Sequence, residues 1–236
     1  MAGTGTKEIK HRIKSVESTR QITKAMELVA SSKLKKAKER AEKSAPYFEL
    51  LQSTIRDIGA MNSEFDSVYT ERREIKSSLF IVIAGDRGLA GGYNANVFRA
   101  ANELFDGKNV SVIPIGKKAC EYYSKRGFTV VDSFEGIGEY IDFELSEDIA
   151  KAALSEYLAG RADEIYVIYT KFVSPLTQKT EIEKLIPFSE GAVKSDKAPS
   201  QLTLYEPSAQ AVFDSIIPDY VSGFILGAVI ESFASE

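Results

Sequence analysis

Between Lys7 and Ala45 the chain runs for 39 residues without a glycine or a proline, and most of those residues are strong helix formers such as Ala, Lys, Glu, Leu, Met and Arg. At about 1.5 Å per residue, one helix over this stretch is roughly 58 Å long, more than a compact domain of this size spans. Such a helix protrudes or lies along a partner. Pro46 interrupts the pattern, yet Tyr47, Phe48, Leu50, Leu51, Ile55 and Ile58 keep a helical apolar rhythm to Gly59, which predicts a kinked continuation. Residues 61–76 lose periodicity, gain polar residues and read as a linker.

Steps of four and three along the helix give Ile9, Ile13, Val16, Arg20, Thr23, Glu27, Ala30, Leu34, Ala37 and Ala41, a heptad-like seam that is apolar at both ends and polar in the middle. A second stripe opens near the gap at Ile22, Met26 and Val29. A seam that changes face implies a helical partner plus a wider enclosing surface, and Ala30, Ala37 and Ala41 would let that helix approach closely.

Charge divides the chain. Residues 1–60 carry 13 Lys/Arg against 7 Asp/Glu, whereas the remainder carries 17 against 27, so a basic arm is joined to an acidic body and is expected to meet something acidic. The plainer alternative is that the lysines form the solvated face of a helix bundle. Nucleic-acid binding would need aromatic stacking residues beside Lys33, Lys35, Lys36, Lys38 and Arg40, and none lies within that cluster. A membrane-surface helix would need bulky apolar residues opposite the lysines, where the chain offers alanines.

The body reads as alternating elements. A β-favouring run at Leu79–Ala84 precedes the loop Gly85, Asp86, Arg87, Gly88, Leu89, Ala90, Gly91, Gly92 and a helix from Tyr93 to Phe105, the strand–glycine loop–helix opening of a Rossmann-like unit. Then follow strand Val110–Ile115, helix Lys117–Arg126, strand Phe128–Val131, helix Leu145–Ala159 and strand Ile165–Thr170. Phe172–Thr177 turns into Glu181–Phe188 as a final edge pair, Ser189–Ser200 reads as a surface loop, and a last helix after Pro207 places Phe213, Ile217, Val221, Phe224 and Ala228 on one face, with Pro218 as a possible kink. Helices between strands impose crossovers, so the fold class is α/β, a Rossmann-like three-layer body with a largely parallel sheet.

The glycine loop is the candidate phosphate cradle, but it has neither the dinucleotide spacing nor the lysine of a P-loop. Its glycines read first as a tight turn that lets helix and strand pack closely, with Asp86 and Arg87 pairing or capping the helix. Cys120 is the only cysteine and His11 the only histidine, which removes internal disulfides, cysteine-based metal clusters and most zinc and triad chemistry. No apolar run approaches the roughly 20 residues of a membrane helix and no signal core opens the chain, so it is expected to be soluble and unexported, without a cleaved presequence.

Four motifs carry a family resemblance. Ile22–Val29 with Ala30–Leu34, Asp86–Asn94, Leu204–Pro207 and Val229–Glu236 are similar, in this order, to the shaft, body and C-terminal motifs of the γ subunits of rotary F-type ATP synthases, in which a cysteine more usually stands at the position of Ala90. The resemblance implies a non-catalytic rotor subunit without a cofactor. Its long N-terminal helix (1–60) and the start of a C-terminal helix (207–236) would form an antiparallel coiled coil inside the α3β3 hexamer. A linker (61–76) would join them to an α/β body (77–206) resting on the c-ring with the ε subunit. Ile9, Ile13, Val16, Ile22, Lys24, Met26, Val29, Ala30, Lys33, Leu34, Lys35 and Lys36 then become shaft-interface positions, and Asp86, Arg87, Gly88, Gly91, Gly92 and Asn94 a structural body motif.

Two departures refine this. The family continues past Glu236 with the rest of the second shaft strand; without it the seam is partly uncovered, and even a few hundred Å² of exposed apolar surface at ~25 cal/mol per Å² is worth several kcal/mol. The isolated chain is therefore expected to self-associate through this helix or to leave it disordered. Chloroplast relatives carry an extra cysteine-containing redox segment that Cys120 alone cannot reproduce, so a bacterial form is expected, at the cytoplasmic face of the cell membrane, with no nucleic acid bound and no direct membrane insertion. The rival readings are an enzyme binding a nucleotide at Gly85–Gly92 and a nucleic-acid module built on the basic helix.

Overall fold

The computed structural model describes residues 2–61, 67–71, 73–105, 107–138, 140–174, 176–188 and 205–236. The expected loop Ser189–Ser200, residue Leu204 and parts of the 61–76 segment lie outside these.

Helix α1 spans Ala2–Met61, about 90 Å at 1.5 Å per residue. It starts earlier than the Gly-free stretch and passes through Pro46 without ending. Proline withholds one hydrogen bond of the helix ladder, and here the residues that follow it are held by packing. Phe48 stacks on Tyr220 with centroids 5.3 Å apart, Tyr47 meets Phe143 edge-on at 6.0 Å, and Leu51, Ile55 and Ile58 are buried.

The body is a five-stranded sheet in the order β3-β2-β1-β4-β5, built from β1 (Ser77–Ile83), β2 (Asn109–Ile115), β3 (Thr129–Val130), β4 (Glu164–Ser174) and β5 (Thr177–Ile186). The first four are parallel and β5 runs antiparallel along the edge. Residues Leu79–Ile83 are all buried, because a parallel strand covered on both faces needs apolar residues at every position rather than at alternate ones. Leu79, Ile81 and Ile83 face a core shared with α4 (Phe143–Leu158), α5 (Ala209–Ser235) and the end of α1. Phe80 and Val82 face a second core under α2 (Tyr93–Phe105) and α3 (Lys117–Ser124). This is a three-layer, doubly wound arrangement.

The start of α4 and the bounds of the β4–β5 hairpin differ from the sequence reading for local reasons. Helix α4 begins at Phe143, because the Asp142 side chain accepts the Leu145 N–H and caps the first turn. Strand β4 continues to Ser174 and β5 begins at Thr177, forming a hairpin that outruns the sheet. The outer end of β4 alternates in exposure, while residues 177–184 of β5 are largely polar and exposed or half-buried, which hides β5 from a hydrophobicity pattern. Helix α5 is long and apolar enough, by composition, to cross a bilayer, yet Phe213, Ile217, Val221, Ile225 and Val229 are buried in this core. Among the described residues of the 61–76 segment, two are buried: Ser67 donates to Asp214 of α5, and Tyr69 accepts the Phe188 N–H at 2.8 Å, while Glu71, Glu74, Ile75 and Lys76 are exposed.

Glu164 lies at the start of β4 with its side chain 2% exposed. It accepts from Ser78 Oγ at 2.7 Å, Lys184 Nζ at 2.9 Å, Tyr166 Oη at 3.0 Å and Lys108 Nζ at 3.4 Å. Burial alone would raise its pKa, but the Ser78, Lys184 and Tyr166 donors outweigh it and leave the carboxyl below its usual value. A lowered folded pKa contributes stability above the unfolded value, and that contribution is lost as pH falls through the folded one. Glu164→Gln is therefore expected to cost about 1–3 kcal/mol at pH 7, with the gap to the parent narrowing below about pH 4 in urea unfolding followed by circular dichroism.

Candidate functional site: an exposed helix and an occupied sheet edge

Residues 5–32 of α1 are exposed throughout, about 42 Å of helix standing clear of the body. The apolar seam positions Ile9, Ile13 and Val16 are 59–66% exposed, and Ile22, Met26 and Val29 of the second stripe are similarly open. Ala30 and the basic Lys24, Lys35 and Lys36 are exposed too, with Lys35 Nζ 4.0 Å from Glu39. Burial begins at Lys33, Leu34 and Ala37, with Ala37 packed on the main core and Lys38 Nζ lying 4.9 Å from the Phe172 ring centre. The structure thus divides the sequence-predicted interface residues. Lys33 and Leu34 lie where α1 joins the body, while the others form an open surface of apolar and basic groups. This open stretch is helical along its whole length.

The body motif sits at the opposite kind of place. In a doubly wound sheet, ligands enter the crevice at the carboxyl ends of the strands where the strand order reverses. Here that point lies between β1 and β4, and the Gly85–Asn94 loop leaves β1 beside it. The crevice is filled by the last turn of α5. Ser232 Oγ lies 2.8 Å from Tyr93 Oη and accepts the Thr170 N–H at 3.3 Å, while Ser235 Oγ approaches Thr170 O at 3.4 Å. The Glu236 carboxylate accepts the Arg87 N–H at 2.9 Å. A Cβ at Gly85 would stand 2.5 Å from Glu236 Oε1, and one at Gly138 would overlap the Phe233 ring.

The loop's own polar groups are used internally. Asn94 Oδ1 accepts the Gly85 N–H at 2.8 Å and its amide donates to Arg87 O. Asp86 caps α3, not the helix that follows it, by accepting the Lys117 and Gly136 N–H groups, both at 2.9 Å. The expectation that the glycines serve close helix–strand packing is corrected in part. Gly85 is needed by Glu236 of α5, and Gly91 has φ +56°, the left-handed region where glycine is at ease. Gly88 has open space around its Cβ position, and Gly92 meets only the Asn96 side chain. Two of the loop's N–H groups are thus taken within the chain, that of Arg87 by Glu236 and that of Gly85 by Asn94.

Tyr93, Ser232, Phe233 and Glu236 lie within two of the quoted motifs, but sequence reasoning did not bring them together and did not single out Gly138 or Thr170. The available signal was the cluster of polar side chains, Glu231, Ser232, Ser235 and Glu236, that follows the apolar run of residues 224–230. Glu231 and Glu236 both have raised pKa values; burial is the first cause in each, and the nearby Asp86 carboxylate adds to it for Glu236. Cys120 is buried under the same edge, 3.6 Å from Pro114 O, and its thiol is pushed up to about 11, first by burial and then by Glu135.

The family model described as ATP synthase matches residues 5–236. The ATP synthase gamma chain of Ruminococcus albus is 45% identical over 235 residues, covering 98% of this chain and 81% of the relative. That of Alkaliphilus metalliredigens is 43% identical, covering 99% and 83%. Among solved structures, the chain is similar to one in the central stalk and c-ring of Tetrahymena thermophila mitochondrial ATP synthase, with a TM-score of 0.69 at 20% identity over 91% of this chain and 93% of that one. The last likeness speaks for the fold.

Two outcomes follow from the geometry. Gly138→Ala forces the Phe233 ring out of its seat and is expected to cost about 1–3 kcal/mol in thermal or urea unfolding. Native Cys120 should react with iodoacetamide at pH 8 about a hundredfold more slowly than the unfolded chain, because its thiolate fraction is that much lower; equal rates would show the thiol to be open.

Proposed function

The chain belongs to the ATP synthase gamma chain family, and on that premise we propose that it is the central-stalk rotor subunit that couples ion-driven rotation of the c-ring to conformational cycling of the α3β3 hexamer. It is a non-catalytic part of a membrane-associated complex. The single observation that carries the reading is α1 itself: one continuous helix, anchored in an α/β body at one end and presenting apolar and basic faces to empty space at the other. A body that stored or transformed a ligand would need its sheet edge open, and this one is filled by its own chain.

The division of labour follows. Residues 1–60 and 207–236 act as the two strands of the shaft, 61–76 connects, and 77–206 is the foot that meets the ε subunit and the c-ring. Ile9, Ile13, Val16, Ile22, Met26, Val29 and Ala30, with Lys24, Lys35 and Lys36, face the catalytic subunits and the companion helix, and Lys33 and Leu34 lie at the junction with the foot. Lysines steer the shaft toward acidic segments of the β subunits. Because the seam is apolar at both ends and polar in its middle, each of three otherwise equivalent β subunits meets a different side of it. Rotation therefore presents the three sites with different contacts in turn, and the affinities for nucleotide change in sequence. The complex sits at the cytoplasmic face of a bacterial membrane.

The test is reconstitution. The chain, and a version carrying a complete C-terminal helix, are added to matching α and β subunits, and complex mass and MgATP hydrolysis are measured. Incorporation with stimulated hydrolysis is expected, while failure of both versions overturns the rotor reading. Polar replacement at Ile13 or Val16 should weaken coupling between hydrolysis and ion pumping; unchanged coupling with a demonstrably looser shaft would remove stiffness as the cause. Titration of the chain alone with ATP, ADP and NAD should show no tight binding, whereas a stoichiometric complex would favour the enzyme reading.

A further inference from the structure

The geometry points to the Gly85–Asn94 loop, together with Gly138, as a socket in which the last turn of α5 is keyed, with Glu236 as the positioning residue that fixes the angle of the shaft against the body. This rests on the rotor reading above, since a part that only rested in place would need no angular lock.

Torque passing between foot and shaft has to cross the joint between the α/β body and helices α1 and α5. Over most of their length that joint is apolar: Phe48 stacks on Tyr220 and lies 6.0 Å from Phe224, and Ile217, Val221 and Ile225 sit in the shared core. Apolar contact holds two surfaces together but is non-directional, so it resists separation better than it resists sliding or twisting. The end of α5 is held differently. Its polar side chains reach three separate parts of the body: Ser232 and Ser235 engage Thr170 of β4, Ser232 also meets Tyr93 at the start of α2, and Glu236 takes the Arg87 N–H in the loop after β1. Phe233 fills the space left by the missing side chain of Gly138. Directional bonds to three elements fix the rotation of a helix about its own axis in a way that a greasy face does not.

Glu236 is the residue of this turn that reaches the glycine loop itself, where it accepts the Arg87 N–H. Burial raises the pKa of its carboxyl, the Arg87 N–H that it accepts lowers it, and the charges of Asp86, Arg87 and Lys33 act on it more weakly. Gly85 provides the room: any side chain there would occupy the place of the carboxylate. The feature that resembles a ligand loop is, on this inference, a receptor for the protein's own helix.

The experiment uses the complete rotary complex with the shaft stalled in the hexamer and a bead fixed to the body, reading the angular variance of the bead. Glu236→Ala removes the acceptor and should widen the variance at least about twofold, in line with the loss of one charge-assisted hydrogen bond. Glu236→Gln keeps an acceptor for the Arg87 N–H and should restore most of the stiffness. Gly85→Ala, which pushes the carboxylate away from the loop with Glu236 intact, should widen the variance as Glu236→Ala does. Variance equal to the parent in Glu236→Ala, or equal widening in Glu236→Ala and Glu236→Gln, overturns the assignment. MgATP hydrolysis by the parent complex is read in the same preparation: its absence defeats the rotor reading, whereas stimulated hydrolysis with an unaltered bead in Glu236→Ala defeats only the socket.

Discussion

Phe213, Ile217, Val221, Ile225 and Val229 run down α5 without a polar break and are all buried, and no single surface of this protein is wide enough to cover them. The sheet provides one wall through Ile81, Ile165 and Val167, α4 a second through Ile149 and Ala153, and the end of α1 a third through Ile55 and Ile58. At ~25 cal/mol per Å² of apolar surface, leaving any of these walls away costs more than a domain of ordinary stability has to spare. The long helix is therefore tied to the body because α5 needs it. Gly223 marks how close the two helices come, since a Cβ there would lie 3.3 Å from the Phe48 ring.

The same demand decides what becomes of the sheet edge. An α/β fold creates a crevice at the point where its strand order reverses, and in many proteins a ligand fills it. Here α5 reaches that point, so its polar residues Ser232, Ser235 and Glu236 take backbone donors and acceptors a ligand would otherwise have met. Fold and site are separable in this respect: the layer order is shared with nucleotide-binding proteins, and the occupant of the crevice is not.

Much of this was legible in the sequence, and the reason is local. The span of α2 from Tyr93 to Phe105 and the run of β1 follow from hydrophobic period and from the glycines between them, all within a few residues of one another. The seam at Ile9, Ile13 and Val16 was legible too, and the described residues leave it exposed. The β4–β5 hairpin was less so, because its outer half is two-sided and polar. The joining of Arg87 to Glu236 was not legible, since the two are 149 positions apart and neither local pattern nor composition specifies such a pairing. Asp86 shows the same limit over a shorter distance: its charge suggested a cap for the adjacent helix, and its oxygen instead serves Lys117 and Gly136.

The placement of α5 also has a consequence for how the protein is made. Ribosomes deliver α1 first and α5 after every strand of the sheet, so the apolar side of β1, β2 and β4 and the buried end of α1 stay bare until the final helix emerges. Contacts between residues this far apart in the chain form slowly, because a long loop has to close before any of them is gained. Nascent chains with a half-covered sheet and an open apolar helix are the kind of species that chaperones retain and that aggregate when crowded. Completion of the body is thus a late and all-or-none event, and the segment that completes it is also the one that stands against the long helix.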